Sequence, residues 1–516
     1  MSKPIEHIVV VGGGSAGWLV AGVLAAEHRL RVTLIESPGI PPIGVGEGTW
    51  PSMRDTLHRI GVSESDFLRE CDASFKQGSR FDGWVDGTTD DHYFHPFVLP
   101  QGYGDTNLAA AWERGHRAGG VPFAELTSYQ PHLCLHGRAP KQPQTPEYAA
   151  VANYGYHLDA GKFGVFLQRH CTQRLGVQHV LAHVEDIVTR RDGPFAGDIA
   201  GVRTRENGLV EGDLFIDCTG MASLLLGTHF EVPLVSQKHV LFNDRALALQ
   251  VPYGAPDTPI SSQTTSTAQR AGWIWDIGLP TRRGIGHVYS SAHTTDDAAE
   301  AELRAYVAAS GGPVDPPAAR KLSFEPGYRA RFWERNCVAI GLSAGFIEPL
   351  EASALALVEL SASWLVDDMP ATRAQMDVVA RRFNEAFTYR WERVIDFLKL
   401  HYVLSRRDGA FWLEHRDAAT VPERLREQLA LWRTRAPSHR DFYRIEEVFP
   451  SASYQYVLYG MGFRAEMPQR GSDQPGLAEH QFREAARLTS RMLPLLPDNR
   501  ELLDHVRQHG LPRAQP

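Results

Sequence analysis

Gly12, Gly14 and Gly17 stand in the spacing G-x-G-x-x-G directly after the apolar run Ile8-Val9-Val10-Val11. The spacing suits one task. Gly12 permits a tight turn, Gly14 lets the backbone come close to a pyrophosphate, and Gly17 lets the following helix pack on the strand, so that the helix N-terminus faces negative charge. Ser15 and Ala16 lie on the turn into that apolar helix, which reads from Trp18 to Ala26. A second strand-like run, Arg31-Val32-Thr33-Leu34-Ile35, ends at Glu36, a carboxylate suited to the ribose hydroxyls of an adenine dinucleotide. Glycines alone would fit a ligand-free turn; strand, turn, helix, strand and acid in order point to a dinucleotide site.

Other residues could react or bind. Only seven of the 53 basic residues are lysines, Lys76 among them. An ammonium is tuned by burial more easily than a guanidinium and can act as a nucleophile, although a lysine after a helix is also an ordinary surface residue. Glu348 and Glu351 precede an apolar helix, where an acid serves either as a cap that meets the helix dipole or as a reacting group. Trp273 and Trp275 alternate as strand residues do, and Tyr93-Phe94-His95-Pro96-Phe97 gathers flat faces. Both patterns suit a core as well as an electron-rich aromatic ligand. Tyr454, Tyr456, Tyr459 and Phe463 are further candidates for such a wall. The five cysteines are scattered without metal-ligand spacing, and neither HExxH nor CxxC occurs, so reduced structural thiols and no metal site are expected.

The elements that must position these groups run the length of the chain. Its 516 residues call for two or three lobes. A net charge of −8 without a long basic stretch argues against nucleic acid as a partner. No apolar run is long enough to span a bilayer. The N-terminus enters the first strand almost at once, so no signal peptide and a cytoplasmic location are expected. A Gly/Pro-rich loop over 40–52 leads into two short helices over 52–72. A helix is expected near 160–174, then strands around 179–189, 199–204 and 213–217, the last ending at Cys218-Thr219-Gly220, a second point of backbone approach. Residues 240–292 read as β-rich, with a polar loop over 254–270. Val338 to Leu342 reads as another buried strand, followed by a long helix from Ala352 to about Asp367. Helical periodicity over 371–404 places Val378, Phe383, Phe387, Val394, Phe397 and Leu398 on one apolar face, and the rest is mostly helical.

Five segments in order resemble the flavin-dependent halogenases of the tryptophan halogenase family. The first runs from Gly12 to Trp18. The second, Ile43-Gly44-Val45-Gly46-Glu47-Gly48-Thr49, is similar to the family's flavin-facing strap. The third, Glu70-Cys71-Asp72-Ala73-Ser74-Phe75-Lys76, is similar to the segment that carries the family's essential lysine. The fourth, Gly272-Trp273-Ile274-Trp275-Asp276-Ile277, resembles the WxWxIP signature, and the fifth runs from Phe346 to Ser353.

The resemblance implies a Rossmann-like α/β FAD-binding fold of the flavoprotein monooxygenase type with a packed, mainly helical C-terminal substrate lobe. On that view residues 1–350 form a discontinuous FAD-binding lobe with β-rich substrate-facing insertions near 75–145 and 235–295, and residues 351–516 form the helical lobe. Gly12, Gly14, Ser15, Ala16, Gly17, Glu36, Gly44, Val45, Gly46, Glu47, Gly48, Thr49, Thr219, Gly220, Gly341, Leu342 and Ile347 would bind the cofactor. Reduced FAD from a separate flavin reductase would react with oxygen, and chloride or bromide would be oxidised to hypohalous acid. The acid would pass through an internal tunnel to Lys76, which would hydrogen-bond it or form a haloamine. Glu351 would stabilise or deprotonate the cationic ring of an aromatic substrate. The amides of Ser353 and Ala354 would cradle halide, Trp273 and Trp275 would keep substrate from the flavin, and His95, Phe97 and Tyr454 would touch the substrate.

The chain also departs from the family pattern. Ala354 stands where members often have glycine, which bears on the halide cradle. The signature proline is displaced to Pro280, which suggests a subgroup unlike the free-tryptophan enzymes. No clamp for an amino acid's carboxylate and amine is identifiable, so indole, a decorated indole or another free aromatic is as good a substrate as tryptophan. A homodimer is expected by resemblance alone. Two rival readings are an aromatic flavin monooxygenase and a non-catalytic flavin-binding protein. The first would show Gly-Asp where this chain has Gly341-Leu342-Ser343-Ala344-Gly345, and the second would show damage at Lys76 or Glu351.

Overall fold

The apolar run at the N-terminus forms the strand His7–Val11, buried along its whole length. It is a central strand with parallel neighbours on both edges, Arg31–Glu36 and Leu214–Asp217, and the faces of such a sheet are covered by the crossover helices. The full sheet has six strands in the order Trp333–Glu334, Cys337–Ala339, Leu214–Asp217, His7–Val11, Arg31–Glu36 and Gln178–Leu181. Its pairs are parallel apart from the edge pair Trp333–Glu334 with Cys337–Ala339. The helix Ser15–Glu27 is apolar all round. It needs cover on more than one side, and it packs against both Ala160–Arg174 and Ser353–Asp367. This is the Rossmann-like α/β arrangement expected from the sequence. The computed structural model describes all residues except 1–3, 29, 40–45, 314, 443, 445–446, 469–472 and 514–516.

The chain divides into two compact units, each made of three segments. The first comprises 1–72, 158–237 and 324–391; the second comprises 73–157, 238–323 and 392–516. The second is built on a seven-stranded sheet in the order Arg320–Ser323, Arg245–Pro252, Arg282–Tyr289, Gly272–Gly278, Thr264–Gln269, Gly78–Asp82 and His92–Pro96. All its pairs are antiparallel except Thr264–Gln269 with Gly78–Asp82. Leu247, Val251, Ile274 and Ile285 of this sheet pack against Ala299, Leu303 and Val307 of the helix Asp296–Ala309.

Two expected features differ. The polar loop expected over 254–270 ends in a strand, Thr264–Gln269, paired on both edges. Its threonines suit a half-buried pleat whatever their polarity. In the helix Arg373–Val403, Phe383, Phe387, Val394, Phe397 and Leu398 are buried but Val378 is exposed. Five residues separate Val378 from Phe383, a rotation of roughly 140° around a helix of 3.6 residues per turn, so the two cannot share a face.

Candidate active site

The glycines of the first turn divide by what surrounds them. At Gly12 (φ 117°) a Cβ would lie 2.1 Å from the Cys218 carbonyl oxygen, and at Gly17 it would lie 1.9 Å from that of Gly12. Both positions are closed by the chain itself. At Gly14 nothing lies within 4 Å of the Cβ position. Gly14 is also the cap residue of the helix Ser15–Glu27, and no side chain caps that helix. An open space beside uncapped N–H groups is a cradle for a phosphate. Gly13 packs directly on Glu36, whose Cδ would be 2.2 Å from a Cβ there. The acid therefore sits on the glycine loop. His179 Nε2 lies 2.9 Å from Glu36 Oε2, and its ring meets Trp18 edge-on at 5.1 Å.

The second approach point is organised by Asp217, a residue that sequence reasoning passed over. One of its oxygens accepts hydrogen bonds from Thr219 N (3.0 Å) and Thr219 Oγ1 (2.6 Å). The other accepts from the backbone N–H groups of Leu225 and Leu226, both at 2.9 Å. Gly220 follows with φ 71° and open space around its Cβ position. Gly341 (φ 72°) and Leu342 turn the chain beside the start of the first helix, where a Cβ on Gly341 would lie 2.9 Å from the Ala16 Cβ. Ser15 Oγ donates to the Ala160 carbonyl at 3.3 Å. An open glycine cradle, an uncapped helix start and a carboxylate on the loop fit an adenine dinucleotide such as FAD.

Of the strap, Gly44 and Val45 lie outside the described residues. Gly46–Gly48 forms a short strand, and Thr49 is buried. Burial pushes the Glu47 carboxyl up to about 7. Trp50 Nε1 donates to the Glu351 carbonyl at 2.8 Å. Glu351 is buried and left-handed (φ 67°, ψ 7°), and Ala352 after it is left-handed too (φ 54°, ψ 46°). Two successive non-glycine residues in this region are uncommon and mark a constrained turn. The helix Ser353–Asp367 starts there with Ala352 at its cap position and no side-chain cap. The sequence offered Glu348 as that cap; Glu348 is buried further upstream beside the buried Ile347. The N–H groups of Ser353 and Ala354 belong to the uncapped first turn, which favours an anion. Further along this helix, Glu359 accepts hydrogen bonds from Ser52 Oγ (3.2 Å) and Thr56 Oγ1 (2.8 Å).

Lys76 is buried at the end of the strand Ser74–Lys76. Its Nζ stands 5.4 Å from the centroid of the Phe97 ring, within cation–π range. Phe97 is held by its own backbone. Its N–H and that of Val98 donate to Gln130 Oε1 at 2.8 and 2.9 Å, and its carbonyl accepts from Asn153 Nδ2 at 2.9 Å. The neighbouring strand pairs His157 with Ser74 and Gly155 with Lys76. This register puts His157 on the same face as Lys76. His157 is fully buried, with Nε2 2.9 Å from Thr264 Oγ1. Burial first, and the Lys76 charge second, hold its imidazole well below the ordinary histidine range, so it is neutral at pH 7.

The aromatic candidates are mostly packed. His95 Nε2 lies 2.8 Å from Ser453 Oγ, with the rings of Phe397 and Tyr456 at 5.6 and 6.4 Å. Tyr454 is buried among Phe442, Phe397 and Trp432 at 4.6, 4.9 and 5.4 Å. Trp273 is buried against Trp84, with ring centroids 6.4 Å apart. Trp275 lies over Gly286, where a Cβ would come within 2.1 Å of its ring. Among the described residues no cluster of His, Cys, Asp and Glu could hold a metal ion, and no helix is long and apolar enough to cross a membrane.

Comparison with known proteins covers nearly the whole chain. The family model described as "Tryptophan halogenase" matches residues 7–475. The chain is 33% identical to "7-chloro-L-tryptophan 6-halogenase KtzR" of Kutzneria sp. (strain 744), over 97% of this chain and 99% of that one. It is 50% identical to a structure described as tryptophan halogenase from Shewanella frigidimarina NCIMB 400, with a TM-score of 0.95 and 99% of both chains covered. It is 31% identical to BrvH, a flavin-dependent halogenase from Brevundimonas sp. BAL3, with a TM-score of 0.85 over 97% of this chain and 99% of that one.

Proposed function

We infer the substrate and the residue roles from one premise: the chain belongs to the tryptophan halogenase family and is a flavin-dependent halogenase that uses FAD and halide. It acts on an aromatic substrate with reduced flavin from a separate reductase. Nothing in the comparisons supports the hydroxylase reading. The proposed substrate is an electron-rich, indole-like ring, free indole or tryptophan-like. The proposed site is the set of residues assigned below, in a protein expected to be cytoplasmic and homodimeric.

Reduced FAD, when bound, would activate oxygen as the two-electron oxidant that turns chloride or bromide into hypohalous acid. Gly12, Gly14 and Gly17, the uncapped helix start, Glu36 and the Thr219–Gly220 turn would hold the dinucleotide, with Gly46, Glu47, Gly48 and Thr49 as further contacts to it. The first amides of the helix Ser353–Asp367 hold halide. Lys76 donates a hydrogen bond to the oxygen of the hypohalous acid, which polarises the halogen–oxygen bond. The ring carbon attacks the halogen; that bond breaks, and the oxygen takes the lysine proton and leaves as water. Glu351 stabilises the cationic ring and takes the proton from the halogenated carbon, which restores aromaticity. His95, Phe97 and Tyr454 serve as substrate contacts, and Trp273 and Trp275 keep the substrate from the flavin.

One observation carries this reading. Lys76 is buried against an aromatic face, beside an imidazole kept neutral, in a segment similar to the one that carries the family's essential lysine. The test is mass spectrometry of indole and tryptophan after incubation with the protein, FAD, a flavin reductase, NADH, oxygen and bromide. A bromine isotope doublet is expected with the wild type and none with Lys76→Ala, which should still release peroxide. Glu351→Gln should slow product formation by roughly 100-fold while leaving the fold intact. Addition of one oxygen in place of bromine would overturn the assignment, as would full halogenation by Lys76→Ala.

A further inference from the structure

We propose that Trp50 is a positioning residue for Glu351, its indole N–H holding the left-handed turn from which that carboxylate is presented. The proposal rests on the reading of Glu351 as the group that takes the ring proton. The hydrogen bond from Trp50 Nε1 ends on the Glu351 carbonyl at 2.8 Å. That oxygen lies in the peptide plane joining Glu351 to Ala352. Because the peptide is planar, fixing the oxygen fixes both ψ of Glu351 and φ of Ala352. These are the two residues that stand in the left-handed region, at φ 67° and 54°. Neither is glycine, so the turn persists only where its surroundings over-determine it.

The donor is itself anchored. Pro51 follows Trp50 and narrows its backbone freedom. The helix Ser52–Arg59 begins next, and its Ser52 and Thr56 hydroxyls bond Glu359 on the helix that leaves the strained turn. The segment after the strap therefore grips the turn at its carbonyl and its helix at one carboxyl. A tryptophan that only filled space would need neither the N–H nor its aim at this carbonyl.

Trp50→Phe keeps a ring and removes the N–H. Halogenation kcat is expected to fall about tenfold, the rate equivalent of about 1.4 kcal/mol from one lost hydrogen bond. KM for the aromatic substrate should change by less than about twofold, KM for halide should rise because the amides of Ser353 and Ala354 follow the same turn, and peroxide released per product should rise. A crystal structure of the variant should show the peptide plane between Glu351 and Ala352 rotated and Ala352 moved out of the left-handed region. Adding Ala352→Gly should recover most of the lost kcat, because glycine takes a positive φ without strain. If Trp50→Phe is unstable, 3-benzothienylalanine at position 50 keeps the ring shape without the N–H and is read in the same way. Wild-type kcat in the variant, an unmoved turn, or a loss that glycine does not relieve would overturn the proposal. Glu351→Gln with wild-type kcat would instead sink the reading of Glu351, and the turn geometry in the Trp50 variant would still test the hydrogen bond's role.

Discussion

At Gly14 and Gly17 the same residue type does two different things, and substitution should separate them. A methyl group at Gly17 would sit 1.9 Å from the Gly12 carbonyl oxygen, with no flexible neighbour to yield, whereas Gly14 opens onto empty space. Gly17→Ala is expected to lower Tm by many degrees or prevent folding. Gly14→Ala is expected to melt within a few degrees of the wild type yet bind FAD about tenfold more weakly, because the methyl occupies the cradle. Thermal melts and flavin titration on both variants check this; equal loss of stability in the two would refute the division. The glycines were legible because their spacing is local. Asp217, His157 and His179 were not, because each acts through a partner brought near by strand pairing or by packing. The aromatic positions were ambiguous for another reason. Tyr454 and Trp273 are the residue types that both a core and a ring-binding wall use, and only their buried neighbours tell which face they serve.

Two helices, Ser52–Arg59 and Ser353–Asp367, meet through a carboxyl group that burial pushes up to about 8. Glu359 accepts from the Ser52 and Thr56 hydroxyls, which favour its charge, and the nearby Asp55 opposes it; desolvation exceeds them all. The sign of the pH effect follows. Unfolded, this acid has the ordinary value of 4.5; folded, it keeps its proton to about 8. Between those values the folded state binds more protons, so its contribution to stability is complete at about pH 4.5 and falls as pH rises to about 8. A tenfold difference in proton affinity between the two states is worth about 1.4 kcal/mol, so the whole contribution is on the order of a few kcal/mol. Glu359→Gln should remove that slope, with the variant gaining Tm over wild type as pH rises from about 5 to 8. A constant difference in Tm across that range would show that Glu359 does not titrate there. Most elements were legible from periodicity, including both helices here and the parallel strands. The strand Thr264–Gln269 was not, since its polar alternation matches a loop until two neighbours pair with it.

Over the whole molecule, the chain alternates between its two units, so neither is a contiguous piece of sequence. A discontinuous first lobe with insertions near 75–145 and 235–295 was expected; that 392–516 shares a unit with 73–157 and 238–323 is a property of which segments share a core, which local patterns do not carry. This sharing predicts what truncation does. The last segment, 392–516, completes the unit that contains Lys76. Within that unit the helix Ser451–Gly460 lies against the edge strand His92–Pro96, with Ser453 bonded to His95 and Tyr456 Oη bonded to the Val98 carbonyl at 3.1 Å. Trp412 covers Trp84 at 5.6 Å, and Lys399 is satisfied by His415 and Thr420 at 2.9 and 3.0 Å. A chain ending at Val403 would uncover a sheet edge, strip a buried tryptophan and leave an ammonium short of acceptors. It is expected to keep much of its far-UV circular dichroism, lose its near-UV signal and aggregate. A soluble truncated chain with an intact near-UV spectrum and cooperative melting would show that 404–516 is a dispensable appendage, contrary to the packing of His95, Trp84 and Lys399.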